Sequence, residues 1–122
     1  MTNITLTAKG SIVSGEKAMD AVFMVRAQVV DASVKDAFDR WYADEHLPDA
    51  LKAFGAKSAW RGWNDVDPSM HYAMYEFDDI GKVRALPGSA GMKRLVAEFD
   101  RAWGEKVVRG RDQVRVVQRV GA

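Results

Sequence analysis

The stretch "AVFMVRAQVVDASVKDAFDRWYADEH", Ala21 to His46, changes its period once, and that change decides the fold. Its first ten residues, Ala21 to Val30, are rich in β-branched side chains and too short for a helix, and they read as a strand. From Asp31 to His46 the apolar residues Val34, Phe38, Trp41 and Tyr42 fall on one helical stripe. Asp31 or Ser33 can accept a hydrogen bond from the free N–H groups of the first turn. Pro48 lacks an N–H and disfavours helix at the residue before it, so the helix is expected to stop there.

Working outward, "AKSAWRGWN", Ala56 to Asn64, and "HYAMYEFDD", His71 to Asp79, read as two strands of a hairpin around the turn "DVDPS". Asp78 or Asp79 caps a second helical region, which pauses at Pro87-Gly88 and resumes from Ser89. Met92, Leu95, Val96, Phe99 and Trp103 keep steps of three and four residues, so this later helix is amphipathic. "VVRGRDQ" reads as a turn, and "QVRVVQRV", Gln113 to Val120, as the last strand. Residues 1–20 stand apart. Ile4, Leu6 and Ala8 alternate with threonines, and Lys9-Gly10 and Ser14-Gly15 are turn signals, so they read as an N-terminal arm before a single domain over 21–122.

The order β-α-β-β-α-β is the ferredoxin-like, split-βαβ class of α+β fold. It has four antiparallel strands with the helices on one face. Right-handed crossovers put the first and third strands in the middle.

Bulk properties agree with one globular domain. The chain has 122 residues, of which 48% are hydrophobic and 29% charged. Lys and Arg number 18 against 17 Asp and Glu, so charge gives no argument for nucleic acid or an anionic membrane. No cysteine is present, which removes disulfides, thiolate chemistry and Cys-ligated metals. The two histidines have no metal-ligand spacing, and no dinucleotide or phosphate loop occurs. Neither a metal nor a cofactor is expected. No run approaches the roughly 20 apolar residues of a membrane span, and no signal-peptide pattern opens the chain. A cytoplasmic protein is the expectation.

Side chains alternate along each strand. Phe23, Val25, Ala27 and Val29 should pack under the helices. So should His71, Ala73, Tyr75 and Phe77, and in the last strand Val114, Val116, Gln118 and Val120. The opposite face holds Met24, Met74, Tyr72 and Val117 beside Arg26, Glu76 and Arg115. It is too polar for a core and too apolar for bare solvent, so a homodimer packed through the sheets is expected. Arg26 and Glu76 could pair there across neighbouring strands.

The end of the first helix is crowded. On a wheel of about 100° per residue, Glu45 falls near the middle of the apolar stripe and His46 on its flank. Two readings are open. In one, Glu45 bends to the rim and His46 caps the last carbonyls. In the other, His46 faces a cavity between helix and sheet as acid/base, oriented by Glu45. His71 and Tyr75 are further polar candidates on the helix-facing side. Trp60 and Trp63 are three apart and point to opposite faces.

"FDRWYADEHLP", with Trp41-Tyr42 and then Glu45-His46-Leu47-Pro48, resembles the EthD-like branch of the dimeric α+β barrel superfamily, over about residues 21 to 120. That branch sits among small cofactor-free monooxygenases, polyketide cyclases, muconolactone isomerases and haem-degrading enzymes. The resemblance implies a pocket between helices and sheet carrying a histidine and a tyrosine. It makes His46 the first residue to carry over, with Trp41 and Tyr42 shaping the pocket. The Asn–His–Trp set of the haem-degrading branch is not found. The expectation is cofactor-independent acid/base chemistry on a small hydrophobic, aromatic or polyketide-like molecule. His46, Glu45, Tyr75 and His71 would be its polar groups, and Trp41, Tyr42, Trp60, Phe99 and Trp103 would line its site. The alternatives are a non-catalytic binding or assembly protein and a cofactor-independent monooxygenase.

Overall fold

The computed structural model describes residues 20–121. The expected N-terminal arm, apart from Asp20, lies outside them. Four strands form one antiparallel sheet: β1 (Ala21–Val29), β2 (Ser58–Trp63), β3 (Met70–Phe77) and β4 (Val107–Arg115). Their order is β2-β3-β1-β4, so the first and third strands are central as the sequence requires. The helices are α1 (Lys35–Trp41), α2 (Leu47–Phe54), the short α3 (Ile80–Arg84) and α4 (Ala90–Trp103). The hairpin turn is held by Asn64, whose side-chain oxygen accepts from the N–H groups of Val66 and Asp67 at 2.8 and 2.9 Å. Asp79 and Ser89 cap α3 and α4 by accepting from the N–H groups of Gly81 and Met92.

Burial follows the alternation. Phe23, Val25, Ala27 and Val29 of β1 and His71, Ala73, Tyr75 and Phe77 of β3 are all buried against the helices. Phe38 of α1 sits at the centre of an aromatic cluster. Its ring centroid is 5.4 Å from Tyr42, 5.3 Å from His71, 5.3 Å from Trp103 and 6.0 Å from Phe99. Each such fully buried large side chain contributes about 1.5–3 kcal/mol, so this cluster is a main source of stability.

The helix expected to end before Pro48 continues to Phe54. Between α1 and α2 it passes through one π-turn, Tyr42–His46, in which the Leu47 N–H donates to the Tyr42 carbonyl. The widened turn inserts one residue into the helical register. It also accommodates Pro48, which has no N–H to give and clashes with the carbonyl four residues back in a regular helix. The helix stops instead at Gly55, with φ of +68°. There the N–H groups of Gly55 and Ala56 donate back to Lys52 and Leu51, both at 3.2 Å, in a Schellman arrangement.

The last strand begins six residues earlier than expected, at Val107 rather than Gln113. "VVRGRDQ" is strand and not turn. Gly110 marks where the Arg26 guanidinium lies across β4: a Cβ there would sit 2.5 Å from an Arg26 nitrogen, so the flexible arginine would have to swing aside. Beyond Arg115 the chain leaves the sheet, because β1 has ended. A backbone hydrogen bond from the Val116 N–H to the Asp20 carbonyl, at 3.0 Å, follows the last paired residue. The faces expected for this strand are reversed: Val114 lies opposite Val22 on the open face and is exposed, and Arg115 lies opposite Ala21. Val116, Gln118 and Val120, expected under the helices, lie beyond the strand, with Val117 and Val120 exposed. The helix-facing residues of β4 are Val107, Arg109 and Arg111, opposite Val29, Ala27 and Val25.

The expected Arg26–Glu76 pair does not form. Arg26 stands opposite Tyr72 and Gly110 and bonds Asp112 at 2.9 Å, while Glu76 accepts from Ser58 and Arg119.

Candidate functional site

The π-turn decides which side chain faces the sheet. A regular helix would turn Glu45 inward. The inserted residue gives that position to His46, which is 9% exposed, and leaves Glu45 exposed. Glu45 therefore does not orient His46. Nor is His46 a cap, since the helix runs on past it and its side chain makes no capping hydrogen bond. Its ring is stacked on Trp41, with centroids 4.5 Å apart and planes 17° from parallel.

His46 lines a pocket between α2, α4 and the sheet. Phe23 and Val25 come from β1, Tyr75 from β3, Arg109 and Arg111 from β4, and Phe54, Met92, Leu95, Val96 and Phe99 from the helices. The pocket is partly open to solvent, and its cavity volume is about 20 Å³, enough for about one water. Counted with the open solvent at its mouth, the same pocket has about 300 Å³ not filled by atoms.

Burial sets the protonation of its groups. It lowers the His46 pKa to about 4, with the nearby Arg109 charge acting in the same direction, so the imidazole is neutral at pH 7. Burial raises the Tyr75 phenol well above its ordinary value, with Tyr42 adding to the effect, and pushes Tyr42 up to about 12. Both phenols keep their protons. The Tyr42 hydroxyl is fully buried and has no hydrogen-bond partner among the described residues. Arg109 lies over the Phe99 ring, 4.0 Å from its centroid, and pairs with Asp100. Burial, and then Arg111, lowers its pKa.

Of the residues singled out in the sequence, the structure brings His46, Tyr75 and Phe99 to the pocket. Trp41, Tyr42 and Trp103 pack behind His46 and Phe99 in the aromatic cluster. His71 is fully buried away from the pocket lining. Its Nε2 accepts from Arg61 at 3.0 Å, which leaves the proton on Nδ1. Burial, then Arg61, brings its pKa to about 4. Arg61 also donates to the Asp39 carboxylate at 2.9 Å, and the same oxygen accepts from the Trp63 indole at 2.8 Å. Trp60, expected at the ligand, instead lies on the open face of the sheet, 46% exposed and opposite Met74. Alternation fixes this: Trp63 takes the helix side, so Trp60 cannot.

Arg109 and Arg111 were missed. Both sit in the segment read as a turn, and arginines on a helix-facing strand side hide the apolar alternation that marks a strand. The signal available was the pairing itself: continuing β1 to Val29 requires a partner as far back as Val107.

Among the described residues, no group of three or more His, Asp or Glu side chains is placed to hold a metal, and no helix is long and apolar enough to cross a membrane. No family model matches the sequence, and no curated protein matches it. Solved structures do match. HapK from Hahella chejuensis superposes with a TM-score of 0.60 at 12% identity, covering 84% of this chain and 95% of that one. SnoaB, a cofactor-independent oxygenase from Streptomyces nogalater, gives 0.58 at 15% identity, covering 86% and 100%. An EthD family protein from Bacillus halodurans gives 0.55 at 16% identity, covering 77% and 96%. Likeness at these identities establishes the fold and leaves the chemistry to be argued from the site. The chain has the ferredoxin-like α+β fold, shared with an EthD family protein and with a cofactor-independent oxygenase.

Proposed function

We propose that this protein binds a small hydrophobic, aromatic or polyketide-like molecule between its helices and sheet, and acts on it by cofactor-independent acid/base chemistry. The observation that carries the reading is His46: a neutral, buried imidazole lining an otherwise largely apolar pocket whose wall also includes a protonated phenol, Tyr75. A neutral imidazole can take a proton from an acidic C–H of the ligand. The electron pair left behind moves to the adjacent carbonyl oxygen, and the Tyr75 hydroxyl can donate to that oxygen. Isomerisation, cyclisation and dehydration can each use such a step; in decarboxylation the electron pair comes instead from the C–C bond broken as CO2 leaves, and the Tyr75 hydroxyl can donate to the same oxygen. Trp41 holds the imidazole in place by stacking. A ring-sized ligand needs more room than the pocket offers, and the flexible Met92 side chain in its wall can give way to it.

A second copy of the chain covers the open sheet face, where Trp60, Met74, Met24 and Tyr72 lie, in a two-fold dimer. Sedimentation of wild type against Trp60→Glu tests this, with a monomeric variant expected.

The second reading is monooxygenation, supported by the full-length fold likeness to a cofactor-independent oxygenase. The same deprotonated substrate would then be the electron source and dioxygen the oxidant.

A thermal-shift panel of phenols, aromatic acids, lactones and haem on wild type and His46→Ala tests the pocket. A ligand at 100 times its Kd stabilises by about 2.7 kcal/mol, or several degrees at this size. A shift that weakens in the variant supports the reading. Deuterium exchange into the bound compound then reports proton transfer, and oxygen uptake singles out the monooxygenase. No shift with any compound favours a binding or assembly protein.

A further inference from the structure

We propose that the ligand of this pocket carries a carboxylate of its own, and that Arg109 and Arg111 bind it at the β4 wall. The inference rests on the pocket reading above and narrows its substrate class. Among the described residues, the two arginines are the only permanently charged side chains lining the pocket, and no carboxylate lines it. They stand two apart on one strand and project to the same side. Like charges so placed repel; Arg109 is partly buried, and Arg111 is exposed where it lines the pocket. Arg109 has a counter-charge in Asp100, and the Phe99 face fixes its guanidinium. Arg111 makes no ion pair among the described residues. The acids on the helix side are already engaged: Arg94 bonds Asp49 at 3.0 and 3.1 Å and Glu98 at 2.9 Å. The uncompensated charge at this site is therefore positive and faces the cleft. Arginine forks match a carboxylate in geometry as well as charge. The remaining lining, with Phe23 and Phe99, suits the ring of an aromatic acid.

The opposing account is that the arginine stems only cover the core edge. The test compares 1-naphthoate with its uncharged isostere 1-naphthamide, titrated by NMR into wild type, Arg111→Met, Arg111→Lys and Arg109→Met. Melting curves confirm that each variant is folded. The expected result is at least about tenfold tighter binding of the acid by wild type, the effect of a charge-assisted pair. Arg111→Lys should retain most of that preference. Arg111→Met and Arg109→Met should reduce it severalfold with the amide affinity unchanged. Equal affinity of wild type for acid and amide overturns the proposal, as does a preference unaltered in both methionine variants. In either case, amide binding that weakens in His46→Ala leaves the pocket reading standing. Binding of neither compound overturns both.

Discussion

Trp41 and His46 are five residues apart and lie face to face, 4.5 Å between ring centroids. Five residues along a regular α-helix turn the chain by about 500°, which leaves the two side chains on different sides. The π-turn over Tyr42–His46 removes that offset and makes them neighbours. The stack is therefore a product of the inserted residue, and the same residue aims His46 at the pocket.

Trp41→Ala should open one side of the His46 ring to water. The His46 midpoint should then rise from about 4 toward the ordinary 6.5, since burial is the first cause of its depression. Loss of the indole from the aromatic cluster should destabilise the fold by about 3 kcal/mol. Histidine NMR titration and urea unfolding read the two effects, and an unchanged His46 midpoint would contradict the role given to Trp41.

The two histidines should make stability depend on pH in a defined window. Both have folded midpoints of about 4 against an ordinary 6.5. Between those values the unfolded chain binds protons that the native chain does not. Stability is thus full above pH 6.5, falls as pH is lowered toward 4, and levels off below as far as these groups are concerned. Each histidine accounts for up to roughly 3 kcal/mol of the fall. His46→Gln and His71→Gln should each flatten the dependence of melting temperature on pH. A double variant as steep as wild type would assign the fall to other groups.

Most of the fold is legible in the sequence because β1, β3 and α4 present uninterrupted periods: every second residue buried in the strands, and Met92, Leu95 and Phe99 in the helix. Two places are not legible. Pro48 carries the chemistry of a helix stop, and only the non-local fit of His46 and Trp41 to the sheet selects a π-turn that tolerates it. Leu47, Leu51, Phe54 and Gly55 held the contrary signal, an apolar stripe followed by a C-terminal glycine. β4 carries arginines where a core strand shows apolar residues, because one wall of the pocket is polar. Both failures fall at the candidate site, where local rules yield to tertiary demands. Spacing put Tyr75 and Phe99 on the inward side, whereas helical spacing favoured Glu45 over His46, which the family resemblance singled out; Arg109 and Arg111 became visible only with strand pairing.

Asp39 ties α1 to β2, accepting from the Trp63 indole at 2.8 Å and from Arg61 at 2.9 Å. Asp39→Ala leaves the indole N–H without its acceptor and Arg61 without its counter-charge, and should cost about 2–3 kcal/mol. Urea unfolding measures it. A loss below about 0.5 kcal/mol would mean that water replaces the carboxylate at no cost.

Gly91 lies where α4 crosses α2. A Cβ there would sit 2.9 Å from the Ala53 carbonyl oxygen, which is backbone and cannot swing aside. Glycine to alanine inside a helix ordinarily stabilises by about 1 kcal/mol. Here the sign should reverse, with Gly91→Ala melting below wild type. A variant that melts higher would show that α2 and α4 separate freely.

The most direct measurement is the ¹⁵N spectrum of the His46 imidazole, followed through a pH titration with and without an aromatic acid such as 1-naphthoate. A neutral ring to about pH 4 in the free protein, then perturbed by the compound with its midpoint moved upward by the added negative charge, is the predicted result. A ring that titrates near 6.5 and is indifferent to every compound in the panel would contradict the account, because His46 would then be neither buried at the pocket nor in reach of a ligand.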